Sequence, residues 1–181
     1  METLEDLFHE TLRDIYYAEK KILKALPKMA KKSSSRDLAA AYEAHLQETE
    51  DQVERLEKVF EMLGKNPRGK TCPAIDGMVE EAEEILKEAK SDTVRDAGSL
   101  AAAQAVEHYE ISRYGTLIAW AEKLGMPDAA DLLGQTLQEE KAADAKLTAL
   151  AESEINVEAD EEPEKPRRTA GRRSASASHH R

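Results

Sequence analysis

Apolar side chains recur at three- and four-residue steps along most of the chain. Leu4, Phe8, Leu12, Ile15, Ile22 and Leu26 form one stripe behind Thr3, which can cap a helix start, with Glu5 and Asp6 placed to favour the dipole. The spacing predicts a helix over roughly residues 4–31, and Pro27 can kink or shorten its last turn because it lacks an amide hydrogen. Ser33, Ser34 and Ser35 offer N-caps for a second stripe, Leu38, Ala41, Tyr42, His45, Leu56, Val59, Phe60 and Leu63, which stops at Gly64. KNPRGKTC then reads as a turn, and Pro73 suits the first turn of a shorter amphipathic helix through Ile75, Met78, Val79, Ala82, Ile85 and Leu86. A third start at Ser91 to Thr93 opens the face Leu100, Ala103, Gln104, Glu107, Ile111, Tyr114, Ile118 and Ala121, which ends at Gly125. Pro127 begins the last face, Leu133, Leu137, Glu140, Asp144, Leu147 and Ala151.

These elements make an all-α chain: two helical hairpins joined by a long connection that carries its own short helix. A short link makes antiparallel neighbours, whereas the long one permits an end-to-end crossover, as in ferritin-like four-helix bundles. The periodicity ends near residue 153, which sets the expected domains at 1–153 for the bundle and 154–181 for a disordered tail, acidic and then basic.

Composition narrows the function classes. Only 8 glycines and 4% aromatics agree with the helical reading, and 40% hydrophobic residues suffice for one core. A net charge of -11 argues against nucleic-acid binding by the whole surface, leaving only the tail arginines Arg167, Arg168, Arg172, Arg173 and Arg181 as a flexible phosphate-binding arm, or else a solubilising tail. The single Cys72 excludes an intramolecular disulfide and a cysteine-type zinc site; beside Pro73 in a loop it is expected to be exposed and oxidisable. No apolar run spans a membrane and the acidic start is no leader, so the expected address is the cytoplasm.

The chemistry lies in acids on faces that otherwise point inward. Glu19 falls between Ile15 and Ile22, Glu48 follows His45, Glu107 sits between Gln104 and Ile111, and Glu140 between Leu137 and Leu147. Four ionised carboxylates inside a bundle must be protonated, paired with bases or bound to cations. No Lys or Arg shares those inward positions, so a pair of iron or manganese ions is the simplest partner for such hard oxygen ligands. The alternative is that the acids form solvated contacts between helices. Glu110 and Asp144, one turn from central acids, are ligands or supports. His45, Asp51, Gln52 and His108 are candidates to hold the ligands from behind, with direct ligation by His45 the less expected role. Standard dimetal bundles carry Glu-x-x-His on two helices, whereas here Glu48 is followed by Asp51 and Glu140 by Ala143. Tyr16, Tyr17, Tyr42, Tyr109, Tyr114 and Trp120 fit packing positions rather than an electron path.

The strings LRDIYYAEKKILKALPKMA, HLQETEDQVERLEKVF, AAAQAVEHYEISRYGTLIAWAEKLG and LLGQTLQEEKAADAKL resemble the YciE/YciF family of bacterial stress-induced, ferritin-like proteins over about residues 3–152. The resemblance implies a five-helix subunit, a homodimer, a bacterial cytoplasmic setting and relatedness to rubrerythrin, with Glu19, Glu48, Glu107 and Glu140 matching the family's inward acids. It implies no established substrate. Two functions follow as expectations: a dimetal protein of stress defence that oxidises ferrous ion with oxygen or peroxide, or a non-catalytic dimeric interaction protein with a vestigial metal site.

Overall fold

The computed structural model describes residues 1–161. Its helices are α1 (Leu4–Lys32), α2 (Arg36–Met62), α3 (Pro73–Glu88), α4 (Asp92–Lys123), α5 (Pro127–Leu150), a π-helical turn at Ala151–Ile155, and α6 (Asn156–Asp160). Each start has a local cause. Thr3 and Asp6 close a reciprocal capping box on α1, and Ser35 and Ser91 accept from the Leu38 and Val94 amides at the starts of α2 and α4. α2 and α4 both end on a glycine in the left-handed region, Gly64 at φ 67° and Gly125 at φ 72°, where a side chain would be strained. Pro27 does not stop α1, which runs on to Lys32.

α1 packs on α2 and α4 on α5, and the two hairpins join through α2 against α5 and α1 against α4. α3 covers the outside of this square against α4 and α1, on the long crossover. This is the ferritin-like architecture, four long helices around one core with an added short helix. Phe8, Leu12, Ile15, Leu38, Leu56, Phe60, Tyr114, Leu117 and Leu133 are buried along its axis. Buried Asp96 on α4 ties the layers at one end. Its carboxylate accepts from the Ser34 and Ser35 amides at 3.0 and 2.7 Å, fixing the α1–α2 turn to the second hairpin.

Two expectations change. Helical structure continues past residue 153 to Asp160, with Ile155 buried and Ser35 Oγ donating to Glu154 at 2.6 Å, so the chain is docked at Glu154 and Ile155 and stays helical through the more exposed Asn156–Asp160. The rest of the proposed tail, with its arginines from Arg167 to Arg181, lies outside the described residues. Cys72 is buried, not exposed: it caps α3, its sulfur accepting from the Ile75 amide, and stands 3.2 Å from the Tyr109 hydroxyl. Among the described residues no helix is long and apolar enough to cross a membrane.

Candidate metal centre

A helix presents one inward position per turn, so each long helix delivers its polar side chains to the core at a fixed height. α1 brings Glu19; α2 brings His45, Thr49 and Gln52 on successive turns; α4 brings Glu107, Glu110 and then Tyr114; α5 brings Glu140. All eight side chains are buried, four of them carboxyls in addition to the imidazole of His45. One ligand atom from each of His45, Glu107, Glu110 and Glu140 lies within 4.8 Å of the others.

His45 is the hub. Its Nε2 stands 3.1 Å from Glu107 Oε1 and 3.5 Å from Glu140 Oε2, while Nδ1 is 3.2 Å from Glu48 Oε2. Burial alone would push the imidazole down, but hydrogen bonds to Glu107 and Glu48 win and carry it up to about 10. The ring is therefore a cation at neutral pH and donates from both nitrogens. Glu19 accepts from the Tyr114 hydroxyl at 2.5 Å; burial raises it to about 7 against the help of Glu110 and Tyr114. Glu110 and Glu140 are raised well above the ordinary range, first by burial and then by neighbouring carboxylates. Glu107 is also penalised by burial, yet Glu140 and His45 together hold it below its usual value.

The site is short of partners. Glu19 Oε2, Glu107 Oε2, both oxygens of Glu110, both of Glu140 and both amide atoms of Gln52 are buried without a hydrogen bond. Buried polar atoms without partners are costly, and oxygens in such number around one imidazole form the donor set of a hard or borderline divalent ion. The residues present thus fit a metal.

The positions picked out from periodicity separate in space. Glu19, Glu107, Glu110 and Glu140 share the buried core region. Glu48 lies at its rim, its side chain 44% exposed, and reaches the cluster through His45. Asp144 lies outside on the α4–α5 surface, accepting from Gln104 at 3.2 Å and paired with His108, itself 69% exposed, at 3.1 Å. Asp51 is exposed, whereas Gln52 faces the buried acids. His45 is the less expected ligand on the Glu-x-x-His pattern, which places a histidine three residues after each acid. Here the order on α2 is reversed, His45-x-x-Glu48, and the buried rhythm His45, Thr49, Gln52 is the signal that finds it. Tyr114, read only as packing, stands one turn beyond Glu110 on the same stripe.

The chain matches the family model described as a domain of unknown function, DUF892, over residues 3–160. It is 48% identical over 162 residues to protein YciF of Escherichia coli strain K12, covering 88% of this chain and 97% of that one. The crystal structure of that stress protein superposes with a TM-score of 0.82 over 86% of this chain and 99% of its own, at 47% identity. YcfI from Rhodopseudomonas palustris gives 0.80 at 56% identity over 81% and 94%. A two-domain Anabaena variabilis protein with DJ-1/ThiJ/PfpI-like and ferritin-like domains matches at 0.60 and 19% identity over 97% of this chain and 42% of its own, a likeness of fold alone.

Proposed function

Because the chain belongs to the YciE/YciF (DUF892) family, we propose that it is a ferritin-like stress-defence protein of the bacterial cytoplasm, a homodimer that binds iron or manganese as a dimetal carboxylate centre. The observation that carries this reading is the buried group of partnerless acid oxygens around His45. His45, Glu107, Glu110 and Glu140 would hold one ion, and Glu19, beside Glu110, and Glu48, beside His45, are the remaining acids that would serve a second. A bound pair of such ions supplies two electrons to dioxygen or peroxide. The chain's own part is electrostatic. Glu110 and Glu140 must lose the protons that burial favours, and His45 must give up its proton to ligate. Tyr114 holds Glu19 in one orientation, and Glu48, half in water, offers the released protons a way out through His45.

The reading is tested by anaerobic loading with ferrous or manganous ion, counting metal per chain in the natural protein and in Glu110→Gln with Glu140→Gln. About two ions should be retained by the natural protein, as in dimetal bundles, and lost by the isosteric variant. The second reading is a dimeric interaction protein with a vestigial site. It draws on the missing Glu-x-x-His pairs and on a cationic His45 that neutralises part of the cluster by itself. No retention by either protein would favour it.

A further inference from the structure

A cavity of about 1120 Å³ is lined by α1, α3 and α4, with α2 and α5 also contributing, and includes His45 and Glu107. Its wall is apolar: Ile22, Leu26 and Met29 from α1 face Met78, Val79 and Leu86 from α3, with Ala103 and Val106 of α4 behind them. Its rim is basic. Lys24, Lys28 and Lys32 on α1 and Lys87 on α3 are all exposed, and among the described residues none of the four pairs with a carboxylate. In a chain of net charge -11, unpaired lysines gathered on one rim form a local positive field. A lysine stem can lie along apolar surface merely to keep its ammonium wet. That accounts for one side chain at a time, not for several lysines without ion-pair partners lining one cavity of ligand size.

We propose that this cavity binds a long-chain aliphatic carboxylate, its head group held by Lys28, Lys32 and Lys87 and its chain laid along the Ile22–Leu26–Met29 wall toward His45. From Lys32 back to the level of Glu19 is about 20 Å of helix at the usual rise, a path suited to an extended alkyl chain rather than to a compact anion. The cationic rim selects against alkylammonium ions, and the apolar wall selects against short carboxylates. The site uses no metal, so it stands or falls separately from the dimetal reading.

The test is a calorimetric titration of the full, metal-free chain with octanoate, decanoate and dodecanoate, using dodecyltrimethylammonium as the charge control. Binding should tighten about tenfold for each two methylenes, the gain expected from burying them, and the ammonium control should not bind. Lys28→Glu with Lys32→Glu should weaken dodecanoate at least tenfold while the chain still unfolds in one cooperative transition, its melting point lowered only by the lost dipole contact of Lys32 at the end of α1. Val79→Trp, which fills the cavity from α3, should abolish binding; if that variant fails to fold, the lysine pair alone carries the test. Chain-length independence, equal affinity for the ammonium, or unchanged affinity in the lysine pair would overturn the proposal. So would retention on phosphatidylglycerol vesicles that dodecanoate does not displace, which would make the rim a membrane contact.

Discussion

Tyr114 and Glu19 share a 2.5 Å hydrogen bond in a fully buried setting, and the phenol there does more than fill space. Its hydroxyl donates to the charged carboxylate, opposing the burial that lifts Glu19 to about 7. Tyr114→Phe keeps the packing and removes the donor, so Glu19 should titrate still higher, by about one unit, the size of one charge-assisted hydrogen bond. Carbon-detected NMR of the Glu19 carboxyl in metal-free protein measures this directly; an unmoved titration would mean that the hydroxyl does not stabilise the charged form. At this scale the burial of three of the four acids on the apolar stripes is legible beforehand. Glu19, Glu107 and Glu140 are buried as the stripes predict, Glu48 stands at the rim, and Glu110, expected only as a ligand or support one turn from Glu107, is fully buried beside them. The partners of His45 and Tyr114 are less legible, because a histidine or tyrosine at a core position is chemically at home there and gives little conflict to notice.

At the scale of elements, α3 is held by a close approach that a periodicity argument does not register. A methyl placed on Gly98 of α4 would come 2.3 Å from Ile85 Cγ2, on a branched side chain with little freedom to retreat. Gly134 on α5 has nothing within 4 Å of the same added atom. Gly134→Ala should therefore stabilise the protein by about 0.5–1 kcal/mol through helix propensity. Gly98→Ala gains the same propensity but overpacks the α3–α4 contact, for a net loss of about 1–2 kcal/mol. Urea unfolding of the two variants separates the effects, and equal stabilities would show that α3 yields freely. Helix starts and stops were readable from Thr3, Ser35, Gly64, Ser91 and Gly125 because caps are local chemistry. The docking of Ile155 and Glu154 was not readable, since it depends on Ser35, distant in sequence, and the acidic composition there resembles a solvated tail.

For the whole molecule, the buried acids make stability a function of pH, and the proposed metal centre would couple it to metal as well. Glu19 is raised to about 7 in the folded protein from an ordinary 4.5, and Glu110 and Glu140 are raised too, so the fold binds more protons than the unfolded chain across and above that window. Stability must then fall as pH rises through it. His45 adds the same sign higher up: raised from 6.5 to about 10, it contributes stability that is complete below 6.5 and lost through about 10. Glu107, held low, opposes these only on the acid side, where its contribution fades as pH drops. Metal-free protein should therefore melt at progressively lower temperature from pH about 5 to about 9. On the proposed metal reading, added manganous ion should invert the trend near neutrality, because ligation would require the very carboxylates and imidazole that burial and pairing keep protonated, and affinity would rise as those protons leave. Melting temperatures at several pH values, with manganous ion or with chelator, carry the comparison. A flat profile for the metal-free chain would mean that the acids are solvated, and a falling profile unchanged by metal would mean that the cluster is neutralised by His45 and protons alone.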